Sequence, residues 1–188
     1  MQVSIWHWAI VLLLIGVPAF FAVRSSNKPS QNPGNLVGFG GWLMLLAIGQ
    51  TLSPFRTVAE LFSSSEGYQQ LMPLPNGPLA VYGEIVLLLA FAALQVVVVF
   101  AMFRRSPRFK QLFLYQWIAI PLVFVFDAAW ISTVLGAPMS KVLAGDALVA
   151  PTTSFVLTGI WVAYVYRSVR VRNTFDSTAT TQVAAAFQ

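Results

Sequence analysis

Cysteine is absent from this chain of 188 residues, and histidine occurs once, as His7. The absence of cysteine excludes disulfide bonds, thiolate metal sites and cysteine nucleophiles. Charged residues make up only 9% of the chain, against about 25% in soluble domains. Hydrophobic residues make up 57% instead. This balance excludes an ordinary soluble domain and is typical of a membrane protein.

The sequence also lacks the motifs of the common catalytic sites. It contains no Walker phosphate loop, no HExxH metal motif and no GxSxG nucleophile elbow. Gly38-Phe39-Gly40-Gly41 does not have the spacing of a dinucleotide-binding fingerprint. We therefore expect a protein that is not an enzyme and that holds no cofactor and no metal.

Five apolar runs have about the length needed to cross a bilayer, and they cover residues 4–23, 36–61, 79–103, 113–135 and 147–166. They predict an all-α, polytopic membrane bundle of five transmembrane helices. We assign residues 1–35 to an N-terminal anchor and linker, residues 36–176 to a four-helix domain, and residues 177–188 to a disordered polar tail. Residues 62–78 and the segment around Pro138 and Lys141 are predicted loops, and the polar tail is expected to start at Asn173.

The basic residues predict the orientation of these helices. Only Arg56 and Lys141 fall on one side of the five predicted spans. The other nine Lys and Arg residues fall on the opposite side: Arg24, Lys28, Arg104, Arg105, Arg108, Lys110, Arg167, Arg170 and Arg172. Because basic residues collect on the cytoplasmic side of a membrane, this distribution predicts an outside N-terminus and a cytoplasmic C-terminus. We expect a multi-pass protein of the bacterial inner membrane. The net charge of +5 then indicates contact with anionic lipid at the cytoplasmic basic loops, and not with nucleic acid.

Polar residues inside the predicted spans form a candidate site. Glu84 and Gln95 lie eleven residues apart in one span, and Gln116 and Asp127 lie eleven apart in the next. Eleven residues are about three helical turns, or ~16 Å, so each pair shares one face. Because the two spans are antiparallel, we expect both carboxylates near the outer side and both amides near the inner side. The facing helices would then present a continuous polar seam.

Arg56, near the outer end of the second span, is the candidate partner of these carboxylates. It could pair with Asp127 or Glu84 and form a cluster that binds an ion, a proton or an anionic headgroup. The same pair could instead serve only to fix the register of the helices. Alternatively, Arg56 extends to the membrane surface and the two carboxylates are satisfied locally.

The first apolar run begins with Ser4-Ile5-Trp6-His7-Trp8, which resembles the start of the pore-forming subunit of the twin-arginine translocase. The resemblance implies an accessory role in protein export. No basic residue precedes the run, and no clear small-residue cleavage site follows it. We therefore expect the first helix to be retained.

Two further motifs are together similar to one family. The first is Gly40-Gly41-Trp42-Leu43, followed by Gly49 and by Ser53-Pro54-Phe55-Arg56. The second is Ile160-Trp161-Val162-Ala163-Tyr164, followed by Ser168, Arg170-Val171 and Thr174-Phe175. They resemble the bacterial inner-membrane family known as domain of unknown function 2569, over about residues 36–176. The resemblance implies four membrane helices and carries no activity, cofactor or site residue with it.

Three functions fit these observations. The first is a non-catalytic envelope scaffold or partner subunit, which would bind another membrane protein or further copies of itself. The second is a small proton- or ion-coupled transporter that uses Arg56, Glu84 and Asp127. Five spans are few for a carrier, so this function would require a dimer. The third is the accessory role in protein export.

Overall fold

The computed structural model describes residues 36–143 and 145–175. Within these two ranges every regular element is helical, and no strand occurs. The elements are α1 (Trp42–Ser63), α2 (Ser65–Leu71), α3 (Gly77–Phe103), α4 (Phe109–Leu135), α5 (Met139–Val142), a short 3-10 helix (Gly145–Leu148), α6 (Val149–Arg167) and α7 (Val169–Phe175).

Three of these helices are long and apolar enough to cross a membrane, namely α3, α4 and α6. They coincide with the third, fourth and fifth predicted spans. Helix α1 has 22 residues but is not among the three. Its sequence explains this difference, because Arg56 and Glu60 lower the hydropathy of its second half. The predicted first span, residues 4–23, lies outside the described residues, as does the predicted tail of residues 177–188.

Three segments predicted to be irregular are helical. The predicted loop of residues 62–78 contains α2, whose Glu66 in the first turn interacts favourably with the helix dipole. Met139–Val142 forms α5. The predicted tail is wrong at its start, because Asn173, Thr174 and Phe175 belong to α7. Burial of Thr174 and Phe175 gives these residues a reason to be ordered.

Residues 50–167 form one compact unit, and the described residues on either side of them, 36–49 and 168–175, belong to another. In the larger unit, α3 packs mainly against α4, α6 packs against α4, and α2 packs against α3. Trp117 joins α4 to α6: its indole stacks on Phe155 at 4.6 Å and donates a hydrogen bond to the Phe155 carbonyl oxygen at 2.9 Å. Close to the turn between α3 and α4 the core is fully apolar, with Val98, Met102 and Phe109 at 0% exposure.

Contacts near the start of α3 define how it faces α4. The Trp130 indole lies against Gly83, where a Cβ atom would collide with it. Trp130 Nε1 donates a hydrogen bond to the Ala80 carbonyl oxygen at 3.2 Å, and Asn76 Nδ2 donates one to the Val134 carbonyl oxygen at 3.4 Å. Later residues of α3 therefore meet earlier residues of α4. In this antiparallel register Glu84 lies opposite Asp127, and Gln95 lies opposite Gln116.

In the smaller unit, residues at and just before the start of the first family motif meet the last residues of the second. The Gly38 amide donates a hydrogen bond to Thr174 Oγ1 at 2.9 Å, across 136 residues of sequence. Phe39 and Phe175 pack edge to face at 6.3 Å. The Arg170 guanidinium lies directly against Gly40, which has no side chain to exclude it. The motif residues thus serve to join the start of the domain to its end.

Candidate functional site

The structure pairs Arg56 with Glu60, and this corrects the predicted pairing with Asp127 or Glu84. Arg56 Nε donates a hydrogen bond to Glu60 Oε1 at 2.8 Å, one turn along the same helix. Both side chains are mostly exposed, at 70% and 55%. A local pair of this kind needs no charge to be buried, whereas a pair with Asp127 would require both charges to leave the surface.

Glu84 has a different partner, Tyr68 on α2. The Tyr68 hydroxyl donates a hydrogen bond to Glu84 Oε1 at 2.9 Å, and both residues are half-buried. Burial raises the pKa of Tyr68 to about 12, and the hydrogen bond to Glu84 and the negative charge of Glu84 add to this effect. The phenol therefore remains a hydrogen-bond donor over the physiological pH range. Tyr68 is not among the residues expected from the sequence, because its contact with Glu84 depends on how the chain turns between α2 and α3.

Asp127 faces this pair from α4. Its Oδ1 atom is buried and has no hydrogen-bond partner among the described residues. Glu84 is close enough for the two negative charges to repel each other. We call Tyr68, Glu84 and Asp127 the carboxylate layer. It contains two carboxylates and one phenol donor, and no basic side chain of the described residues pairs with either carboxylate.

A second polar layer lies deeper between the helices. Thr57 Oγ1 on α1 contacts Gln95 Oε1 on α3 at 3.1 Å, and both side chains are buried. Gln116, which lies opposite Gln95 on α4, is only 4% exposed. Its Oε1 has no hydrogen-bond partner in the described ranges. We call Thr57, Gln95 and Gln116 the amide layer. Thr57 is not among the site residues expected from the sequence.

Apolar positions lie between the two layers on both helices, and the continuous polar seam stays a prediction. On α3 the positions between Glu84 and Gln95 that share their face are Leu88 and Phe91. On α4 the corresponding positions are Ile120 and Val123. Apolar residues therefore lie between the two layers on this face of each helix. Among the described residues, no group of three or more His, Cys, Asp or Glu side chains could hold a metal ion.

A family model described as "Protein of unknown function (DUF2569)" matches residues 36–176. No curated protein and no solved structure gives a match to the chain. The match covers most of the chain and includes both family motifs. The chain therefore belongs to the DUF2569 family of proteins of unknown function.

Proposed function

We propose that this protein is a non-catalytic, multi-pass protein of the bacterial inner membrane that takes up a proton or a small monovalent cation at its carboxylate layer. The observation that carries the proposal is the buried Asp127 Oδ1 atom, which faces Glu84 and has no partner among the described residues. A buried charge without a partner is costly in a protein interior, and more so inside a membrane.

Positive charge between the carboxylates would remove that cost. A proton on Asp127 would let it donate a hydrogen bond to Glu84, while Tyr68 continues to donate to the other side of the same carboxylate. A sodium ion could bridge the two carboxylates instead. Because Arg56 is engaged by Glu60, the charge would come from a bound ligand, and that ligand can leave.

The position of the layer supports access from one side of the membrane. Glu84 lies two turns from the start of α3, and Asp127 lies a similar distance from the end of α4. Among the residues that the structure describes, the short helix α2 alone supplies a partner there, through Tyr68. The apolar residues Leu88 and Phe91 separate the layer from the opposite side, so transport would need a second conformation. Without one, the layer would act as a sensor of proton or cation concentration.

We further propose that α1 is a membrane span, which gives the four-helix unit its fourth helix. Its 22 residues reach ~33 Å. Phe55 and Phe62 are 69% and 75% exposed, as expected for side chains in contact with lipid. The Arg56–Glu60 pair lies near one end, where each charge offsets the other. With the anchor at residues 4–23, the protein would have five spans, with its N-terminus outside and its C-terminus in the cytoplasm.

The second candidate function is a scaffold or partner subunit of an envelope complex. It is favoured by the exposed face of α1, where Leu52, Phe55 and Phe62 lie on one side of the helix and no described residue covers them. In this case the carboxylate layer would only stabilise the packing of α2, α3 and α4.

The proposed accessory role in protein export rests on residues 4–23 alone, which lie outside the described ranges, and it stays a prediction.

Reconstitution of the full chain in liposomes that contain a pH-sensitive dye tests the first proposal. An imposed sodium or pH gradient should change the internal pH, and Asp127→Asn should abolish that change. Glu66→Gln is the matched control, because it removes an exposed carboxylate from α2 and should leave the signal intact. If the wild type and both variants show no ion movement, the layer carries no ion across the membrane, and a sensor or scaffold function is favoured instead.

A further inference from the structure

The amide layer brings together three polar side chains that are almost completely buried, each from a different helix. Thr57 on α1 is 6% exposed, Gln95 on α3 is 5% exposed and Gln116 on α4 is 4% exposed. Polar groups are costly inside an apolar bundle, and more so at membrane depth, unless each has a partner. The polar atoms of the layer therefore have to be satisfied, either by protein or by a ligand.

The oxygens of the amide layer outnumber the hydrogen-bond donors that reach them. The Thr57 hydroxyl carries one proton, which it donates to Gln95 Oε1 at 3.1 Å or to the Ser53 carbonyl oxygen at 3.3 Å. Gln116 Oε1 is buried and has no hydrogen-bond partner among the described residues. The side-chain oxygens of Thr57, Gln95 and Gln116 therefore share a single donated proton within the part of the chain that the structure describes.

The amide layer lies at a constant distance from the carboxylate layer. On both α3 and α4, eleven residues separate the member of one layer from the member of the other. Thr57 and Tyr68 also lie eleven residues apart, and they contact Gln95 and Glu84 respectively. Eleven helical residues rise ~16 Å, which is about half of the ~30 Å hydrocarbon core of a membrane. A ligand that leaves the carboxylate layer toward the opposite side would meet the amide layer next.

A further oxygen without a partner lies beyond the amide layer on α1. Gln50 precedes Thr57 by seven residues, or about two helical turns, so both side chains share one face of α1. Gln50 Oε1 is buried and has no hydrogen-bond partner among the described residues. Pro54 has no backbone N–H for the Gln50 carbonyl oxygen, which accepts a hydrogen bond from the Ser53 hydroxyl at 3.0 Å instead. Acceptor oxygens therefore continue along this face of α1.

The kind of oxygen in the amide layer indicates the class of ligand. Carboxamide and hydroxyl oxygens do not titrate near neutral pH, so they cannot store a proton as a carboxylate does. Neutral oxygens replace the hydration shell of monovalent cations in channels and carriers. Divalent cations in proteins are held mainly by carboxylates, and the amide layer contains none. Its oxygens therefore fit a monovalent cation.

We propose that the amide layer is a second binding site, for a dehydrated monovalent cation such as sodium, with Thr57 Oγ1, Gln95 Oε1 and Gln116 Oε1 as ligands. The Thr57 proton would turn from Gln95 to the Ser53 carbonyl oxygen, which already lies 3.3 Å from the hydroxyl. Passage of sodium from the carboxylate layer to the amide layer rests on the function proposed above. Binding at the amide layer itself needs no carboxylate, so it can be measured after the carboxylates are neutralised.

Melting temperatures of the full chain in a neutral detergent test the proposal, with sodium chloride exchanged for choline chloride at constant ionic strength. The background is the double variant Glu84→Gln/Asp127→Asn, whose carboxylate layer has no charge. Sodium should still raise the melting temperature of this variant, because a ligand that binds only the folded state stabilises it. Adding Gln116→Leu should raise the sodium concentration for half of the shift by about tenfold, as for the loss of one hydrogen bond to a charged group.

Gln111→Leu is the matched control, since it makes the same chemical change at an exposed position of α4. It should leave the sodium dependence of the melting temperature unchanged. Two variants of Thr57 decide the question if Gln116→Leu does not fold. Thr57→Val removes a ligand and should weaken sodium binding, whereas Thr57→Ser keeps the hydroxyl and should bind sodium as the background does.

The outcomes separate this proposal from the function proposed for the carboxylate layer. If sodium stabilises the wild type but not the double variant, the carboxylate layer alone binds the cation, and the amide-layer proposal is overturned while the other stands. The amide-layer proposal is also overturned if sodium and choline give equal melting temperatures, or if Gln111→Leu weakens sodium binding as much as Gln116→Leu. Sodium stabilisation that persists in the double variant and is weakened by Gln116→Leu supports it, whatever the carboxylate layer binds.

Discussion

Asp127 and Tyr68 determine the chemistry of the carboxylate layer at the scale of single residues. The Asp127 carboxylate has no basic partner among the described residues. The Tyr68 phenol keeps its proton and donates it in a hydrogen bond, because its pKa is about 12. Asp127 therefore lacks a hydrogen-bond partner within the described residues, while Glu84 has one in Tyr68 and can still accept a hydrogen bond from the side of Asp127. Substitutions at these two positions should have opposite effects on stability.

Asp127→Asn should stabilise the protein by about 1 kcal/mol at high pH, because an amide donor replaces a repelling charge beside Glu84. The gain should shrink at low pH, where the wild-type carboxyl group is itself protonated and can donate. Melting temperatures in detergent across a pH series measure this difference. A lower melting temperature for Asp127→Asn at every pH would show that the Asp127 charge already has a favourable partner.

Tyr68 should make stability fall at alkaline pH. Its pKa is about 12 in the folded chain against 10.0 in the unfolded chain, so the folded state holds the phenol proton more tightly. The resulting stability is fully present below pH 10 and is lost as the pH rises toward 12. Unfolding followed between these values should show the loss, and Tyr68→Phe should remove it. Tyr82→Phe, at an exposed position of α3, serves as the control.

At the scale of helices, the close packing of α3 on α4 depends on Gly83. A Cβ atom at this position would collide with the Trp130 indole. Gly83→Ala should therefore destabilise the protein by about 1–3 kcal/mol, as overpacking does in a filled core. Gly67→Ala on α2 makes the same chemical change where no atom lies nearby, and it should be neutral or slightly stabilising. Equal melting temperatures for the two variants would contradict the packing described here.

A hydrogen bond from the Thr57 hydroxyl to Gln95 Oε1 links α1 to α3. Thr57→Val keeps the shape of the side chain but leaves the buried Gln95 Oε1 without a partner, at a cost of about 1–3 kcal/mol. Thr133→Val is the matched control, since the exposed Thr133 hydroxyl bonds only within its own helix. Urea unfolding in mild detergent compares the two. A similar small loss for both would mean that the Thr57–Gln95 contact contributes little.

The sequence predicts the long helices well and their partners less well. The eleven-residue spacing of Glu84 and Gln95, and of Gln116 and Asp127, follows from helical periodicity, and the structure places these residues opposite each other across α3 and α4. The partner of Arg56 was not predictable in the same way, since a local pair with Glu60 competes with every distant carboxylate. The contact of Tyr68 depends on a turn that has no distinctive sequence signal.

At the scale of the whole molecule, the DUF2569 match over residues 36–176 confirms the family resemblance. The five spans and their orientation stay predictions, and the absence of cysteine makes them directly testable. A single cysteine introduced as Glu66→Cys should react with a membrane-impermeant thiol reagent in intact spheroplasts. Arg108→Cys should react only after the membrane is opened. Labelling of Arg108→Cys in intact spheroplasts would reverse the proposed orientation.

Infrared spectroscopy of the purified protein shows whether the carboxylate layer binds a proton or a cation. A protonated carboxyl group has a carbonyl band that a carboxylate lacks. We predict a band in the wild type that disappears on addition of alkali or of excess sodium, and that is missing in Asp127→Asn but present in Glu66→Gln. A spectrum in which neither pH nor sodium changes the wild-type carboxyl groups in the folded protein would contradict the account.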